Sequence, residues 1–106
     1  MKLYIVVRQD LTPGAQIAQS IHAFREYIEE HYESEAKWYA LSNTIVVLGV
    51  ANERELRELS ELAFREKILK AEFREPAMIM SLTAVAFEPC LRTSQFLAHL
   101  SLAGKQ

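Results

Sequence analysis

The chain has 106 residues, half hydrophobic and a quarter charged, with formal net charge -2. That length suits one domain over residues 1–106 with one core, and no run approaches the ~18 apolar residues of a membrane span. Twelve basic against fourteen acidic side chains argue against a DNA-gripping protein, which ordinarily carries a basic excess.

Cys90 is the only cysteine. An internal disulfide and a zinc site of several thiolates are therefore excluded, no metal is expected, and a reducing, cytoplasmic compartment is expected. The first eight residues have one leading positive charge and a short apolar run, and read as a strand rather than a signal peptide. Lys2 to Arg8 is nearly all apolar without alternation, as in a strand buried on both faces. Asp10 to Gly14 is turn chemistry, in which Thr12 can cap a helix and Pro13 can take its first position.

A helix is expected from about Pro13 to about Ser34, with Ile17, Ile21, Phe24, Ile28 and Tyr32 as its buried stripe. His22 then lies at the margin of that stripe, within reach of Glu26 one turn on. Trp38, Tyr39 and Leu41 are expected to pack the connection onto the sheet, and Ser42-Asn43 to turn. Thr44 to Val50 is a second continuous apolar strand, so strand, helix and strand form a parallel crossover.

Asn52 with Glu55 makes a capping-box-like start for a second helix that buries Leu56, Leu59, Leu62 and Ala63 and ends near Lys70. Glu53 with Arg57, and Glu61 with Arg65, are expected surface pairs. Ala71 to Glu75 and Leu82 to Phe87 are strands joined by a short loop, hence antiparallel. The sheet is then mixed. Leu91 to Leu102 reads as a short helix or packed tail.

Asp10-Leu11 with Gly14, Ala18-Gln19 and His22-Ala23 resembles the first strand–helix junction of the type-2 peptidyl-tRNA hydrolases. Phe73-Arg74-Glu75-Pro76 and Leu82-Thr83-Ala84-Val85-Ala86 resemble the second half of the site in small relatives of that family. The likeness covers nearly the whole chain in element order. It implies a three-layer α/β/α fold with a mixed four-stranded sheet. It also implies hydrolysis of the ester between a peptide and tRNA, with tRNA as partner and no cofactor. Where family members usually carry a lysine after the glycine, this chain has Ala15. Where they carry an aspartate on the second half, the nearest acid is Glu75, brought into line by a deletion.

Ester hydrolysis needs an activated water, a proton for the leaving hydroxyl and donors for the oxyanion. His22, Glu75 and Asp10 are the catalytic candidates, and Gln19, Thr83 and Gly14 the substrate-binding ones. Each also has a plain structural reading: His22 as a surface partner of Glu26, Asp10 as a turn residue, Glu75 as a strand end. His31, His99 and Cys90 lack partner patterns. Met78-Ile79-Met80 either tucks into the core or stands exposed as a self-association patch that would make a homodimer. A non-catalytic binding module on the same fold, or a hydrolase of another small ligand, remains the alternative function.

Overall fold

The structure, a computed structural model, describes residues 1–104. Strand β1 (Lys2–Arg8) lies at the middle of a mixed five-stranded sheet. It is followed by helices α1 (Pro13–Glu30) and α2 (Tyr32–Leu41), strand β2 (Thr44–Val50), helix α3 (Glu53–Arg65) and strand β3 (Lys70–Glu75). A single 3-10 turn (Pro76–Met78), strand β4 (Ser81–Phe87), helix α4 (Leu91–Phe96) and strand β5 (Ser101–Leu102) complete it. The order across the sheet is β3-β4-β1-β2-β5. β1 pairs parallel with β2 and antiparallel with β4, and β3 pairs antiparallel with β4. The sheet therefore has one strand more than the expected four. The extra strand is two residues of the tail, too short to show an alternating pattern, that add antiparallel to the edge of β2.

Two cores flank the sheet, making three layers. Leu3, Ile5 and Val7 pack with Ala23, Tyr27 and Trp38 on the α1–α2 side, while Tyr4 and Val6 pack with Leu56, Leu59, Ala63 and Leu97 on the other. This is why β1 shows no alternation: both of its faces are dry.

The first helix differs from expectation in extent and in face. It breaks at His31, whose own N–H closes on the Tyr27 carbonyl and whose Nε2 meets the Lys70 carbonyl at 2.8 Å. The buried residues of α1 are Gln16, Gln19, Ser20, Ala23 and Tyr27. Ile17 and Ile21, expected inside, are 64% and 61% exposed. The alanine-rich α1 side of β3 and β4 (Ala71, Ala84, Ala86) accepts a close-packed helix whose inner residues are small or hydrogen-bonded. The isoleucines are left on the outer flank.

Trp38 does fasten α2 to the sheet, donating from Nε1 to the Thr44 carbonyl at 2.9 Å and meeting Phe24 edge-on. Tyr39 and Leu41 are exposed. Helix α3 ends at Arg65, five residues before Lys70, because Lys67 turns left-handed (φ 60°) and closes the helix. Leu62 is 42% exposed. Asn52 caps α3 through Glu55 N–H, and Glu55 returns a bond to Ala51 N–H. The helix surface pair is Arg54–Glu58 rather than Glu53–Arg57 or Glu61–Arg65. Glu53 instead accepts the Leu82 N–H at 2.8 Å and ties α3 to the start of β4.

At the carboxyl end of β2, Gly49 leaves room for the Gln9 side chain. A Cβ there would stand 2.3 Å from Gln9 Cδ, and Gln9 Oε1 is buried without a partner among the described residues. Gly49→Ala should therefore displace Gln9 and destabilise the fold by about 1 kcal/mol. In a Gln9→Ala background the same change should be neutral or slightly stabilising. Urea titration of the double-mutant cycle reads the coupling.

Candidate active site

The β1–α1 junction forms as its residues dictate. Thr12 Oγ1 accepts the Ala15 N–H at 3.3 Å, with Pro13 in the first helical position. From there α1 crosses the sheet over β3 and β4, so Gln19 and His22, one turn apart, face the row Phe73 and Glu75 on β3 (α1 side).

A bulge completes the row. The β3–β4 register shifts between Phe73 and Arg74, which pair with Ala84 and Leu82, so Thr83 is the extra residue. Leu82 and Val85 belong to the α3-side core and Ala84 to the α1 side. Counted back from Ala84 and Val85, strict alternation would send Thr83 toward α3. The bulge re-aims it to the α1 side, where it is fully buried and its hydroxyl donates to Gln19 Oε1 at 2.6 Å. Phe73 O is a longer contact of the same hydroxyl at 3.3 Å. Thr83 thereby orients the Gln19 amide, whose Nε2 donates to Glu75 Oε1 at 3.2 Å. Glu75 Oε2 has no hydrogen bond among the described residues.

His22 is exposed and stacks on Phe73, with ring centroids 4.4 Å apart and planes within 10°. The stack holds the imidazole flat against β3 beside the Gln19–Glu75 pair, with its ring nitrogens unbonded among the described residues. Glu26 makes no ion pair with it.

Asp10 belongs to a different set of contacts. Arg8 grips it with two bonds, Nε to Oδ1 at 2.9 Å and a terminal nitrogen to Oδ2 at 2.8 Å. The same guanidinium donates to Ser81 Oγ at 2.6 Å and to the Leu82 carbonyl. The hydrogen bond from Arg8 holds the Asp10 carboxyl below its ordinary value, and the partnership raises Arg8. Glu53 is held low by the Leu82 N–H and then by Ser81. Arg8 thus ties the β1–α1 loop to the head of β4. Gly14 sits on the exposed first turn of α1, with open space where a Cβ would project.

Of the six candidates, Gln19, Thr83 and Glu75 form one bonded row, with His22 on the adjoining turn. Asp10 and Gly14 lie at the loop end, outside that row. Arg8 and Ser81 were missed, and Phe73 was named only within its motif, without a role. Phe73 precedes Glu75 by two residues on a strand and so shares its face, a signal that was available. The reach of Arg8 to Ser81, 73 residues on, was not. The Met78–Met80 loop stands out of the core, with Ile79 94% exposed and both Ile79 and Met80 left-handed. On the α3-side face of β3, opposite the row, Lys70 and Arg74 both bind Glu72. Burial opposes the charge on Glu72, but Ser60 and these cations outweigh it and keep its carboxyl low.

This geometry belongs to a three-layer α/β/α protein with a polar row across the α1–β3–β4 seam. A family model described as "Peptidyl-tRNA hydrolase PTH2" matches residues 1–102. The chain belongs to the PTH2 family. A solved structure of a protein of unknown function from Agrobacterium tumefaciens strain C58 aligns with a TM-score of 0.70 at 13% identity. The match covers 95% of this chain and 96% of that one, a likeness of fold. No curated protein matches the chain.

Asp10→Asn should lower stability near neutral pH by a few tenths of a kcal/mol to about 1 kcal/mol, since the carboxylate is partly exposed. The native Asp10 pKa lies below the unfolded one. Its contribution is therefore complete above the ordinary value and is lost as pH falls through the lowered native value. Denaturation of both proteins from pH 7 to pH 2 should show the gap closing only at the acid end.

Proposed function

We propose that the protein hydrolyses the ester joining a peptide, or an N-blocked amino acid, to tRNA, using the row on the α1–β3–β4 seam. The observation that carries this reading is the Thr83–Gln19–Glu75 chain of hydrogen bonds, buried at Thr83 and half-buried at Glu75, beside an exposed His22, in a member of the PTH2 family.

In this reading Glu75, oriented through its Oε1 by Gln19, accepts a proton from the attacking water at Oε2. His22, with its nitrogens open to solvent, moves a proton to the departing ribose hydroxyl. The second N–H of the Gln19 amide is a donor for the developing oxyanion, pre-aimed because Thr83 holds the carbonyl end. Asp10 acts through Arg8 as a positioning residue: both of its oxygens accept from the Arg8 guanidinium, and it lies at the loop end, outside the row. Gly14, on the open first turn, gives substrate close access to the helix start. The reaction needs no cofactor in this scheme.

A non-catalytic module on the same fold is the second reading, favoured by Ala15 where the family usually has lysine and by the formal net charge of -2. Release of N-blocked amino acid from charged tRNA separates the two. Turnover by the wild type establishes hydrolysis without the lysine. Turnover confined to Ala15→Lys marks an assembled site lacking one group, and silence in both favours the module.

If hydrolysis is the activity, His22→Ala should lower kcat by about 10²–10⁴ with the circular-dichroism spectrum unchanged. Thr83→Val should lower kcat by freeing the Gln19 amide. Gly14→Ala should raise stability by about 0.5 kcal/mol and, if substrate approaches there, raise KM with kcat retained.

A further inference from the structure

Of Thr83, Gln19, Glu75 and His22, only His22 is held by no hydrogen bond among the described residues. Gln19 is fixed between Thr83 and Glu75, whereas the His22 side chain is exposed with both ring nitrogens free. An exposed side chain of this kind samples several rotamers, and a proton carrier must present its ring edge in one direction. A histidine with such a task is commonly aimed by a partner on its second nitrogen. Here Phe73 takes that place with a stack, ring centroids 4.4 Å apart and planes within 10°.

The contacts that build the row also set this stack. β3 runs with β1, and α1 runs back against both. One turn forward from Gln19 on α1 therefore answers two residues back from Glu75 on β3. The Gln19–Glu75 bond at 3.2 Å brings His22 over Phe73. Phe73 itself is half-buried and packs against the α1-side core, so the ring beneath His22 is held from below.

A stack differs from a hydrogen-bonded partner in two ways. It occupies neither ring nitrogen, so either can carry the proton that passes to the departing ribose oxygen, and solvent can return a proton to the same atom. A carboxylate in that role would engage one nitrogen and favour the charged ring. The stack also acts on both proton states. Neutral imidazole lies on the phenyl face as one aromatic ring on another, and imidazolium lies within the ~6 Å at which an aromatic face attracts a cation. The ring need not turn when its proton arrives or leaves. Glu26, one turn on along α1, and Glu75, two residues on along β3, make no bond to His22 among the described residues. Arg25 is turned to Glu29 and Arg74 to Glu72, so no ion pair contends with the stack.

We infer that Phe73 is a positioning residue for His22, holding the imidazole by its face so that its edge meets the leaving group in either proton state. The consequence for turnover rests on the hydrolase reading, while the stack itself does not.

Two measurements on the full chain test this. In carbon–proton correlation spectra, with the His22 ring signals assigned through His22→Gln, at least one ring proton should lie upfield of free histidine on both sides of the ring's titration. It should return toward the free value in Phe73→Leu. In release of N-blocked amino acid from charged tRNA, Phe73→Leu should lower kcat about tenfold or more with KM unchanged. Phe73→Tyr should restore most of the rate, and Phe73→Leu should cost nothing further in a His22→Ala background. Ring protons at their free values in the wild type overturn the proposal, as does an unchanged kcat in Phe73→Leu. A loss that persists in the His22→Ala background overturns it too, by giving Phe73 a structural part only. A wild type with upfield ring protons and no turnover overturns the hydrolase reading and leaves Phe73 as the holder of His22. If Phe73→Leu loses its folded circular-dichroism spectrum, Phe73→Met replaces it and is read the same way.

Discussion

Strand β1 is paired along both edges and covered on both faces, and the other elements take their places from that constraint. Its parallel partner β2 can be reached only by a crossover, which α1 and α2 supply on one face. Its antiparallel partner β4 enters from the hairpin with β3. The side chains of β1 point alternately into the two cores, so neither helical layer can shift without uncovering apolar strand residues worth roughly 1.5–3 kcal/mol each when fully buried. At the end of this strand Arg8 emerges from the core, and the chain's first polar commitments are made there.

The candidate site follows from how α1 is seated on the hairpin side of that sheet. A helix can approach β3 and β4 closely because Ala71, Ala84 and Ala86 offer little bulk. Close approach buries Gln16 and Gln19, and buried amides require partners. Gln16 finds them in the backbone at Leu11 and Gly104, while Gln19 finds Thr83 and Glu75. The Thr83 bulge and the small strand residues thus place a satisfied polar row within an otherwise apolar seam. Arg8, Asp10, Ser81 and Glu53 form a separate charged junction at the loop end, joining three elements that are remote in sequence. Its work is to hold the loop.

The same seating explains the exposed isoleucines. An amphipathic helix ordinarily turns its largest apolar residues inward. Here the inner face is taken by Tyr27 and by small and amide side chains, and the apolar periodicity is displaced onto a flank that borders bare sheet. The hydrophobic pattern of α1 is therefore genuine, but its largest members, Ile17 and Ile21, lie on the outer flank instead of in the core.

Strand β1, strand β2, the caps at Thr12 and Asn52, the β3–β4 hairpin and the mixed sheet were legible in sequence, because each depends on residues close together in the chain. The family likeness was legible too, and with it Gln19, His22, Glu75 and Thr83 as candidates. Sequence could not decide which flank of α1 is buried, since apolar periodicity defines a face without saying what it meets. Nor could it show the bulge that turns Thr83 inward, the reach of Arg8 to Ser81, or the fifth strand formed by Ser101 and Leu102. Local pattern determines what each segment can be. Only the packing of distant segments, through the register of β3 on β4 and the closeness of α1 to the alanine-lined strands, decided which side chains meet.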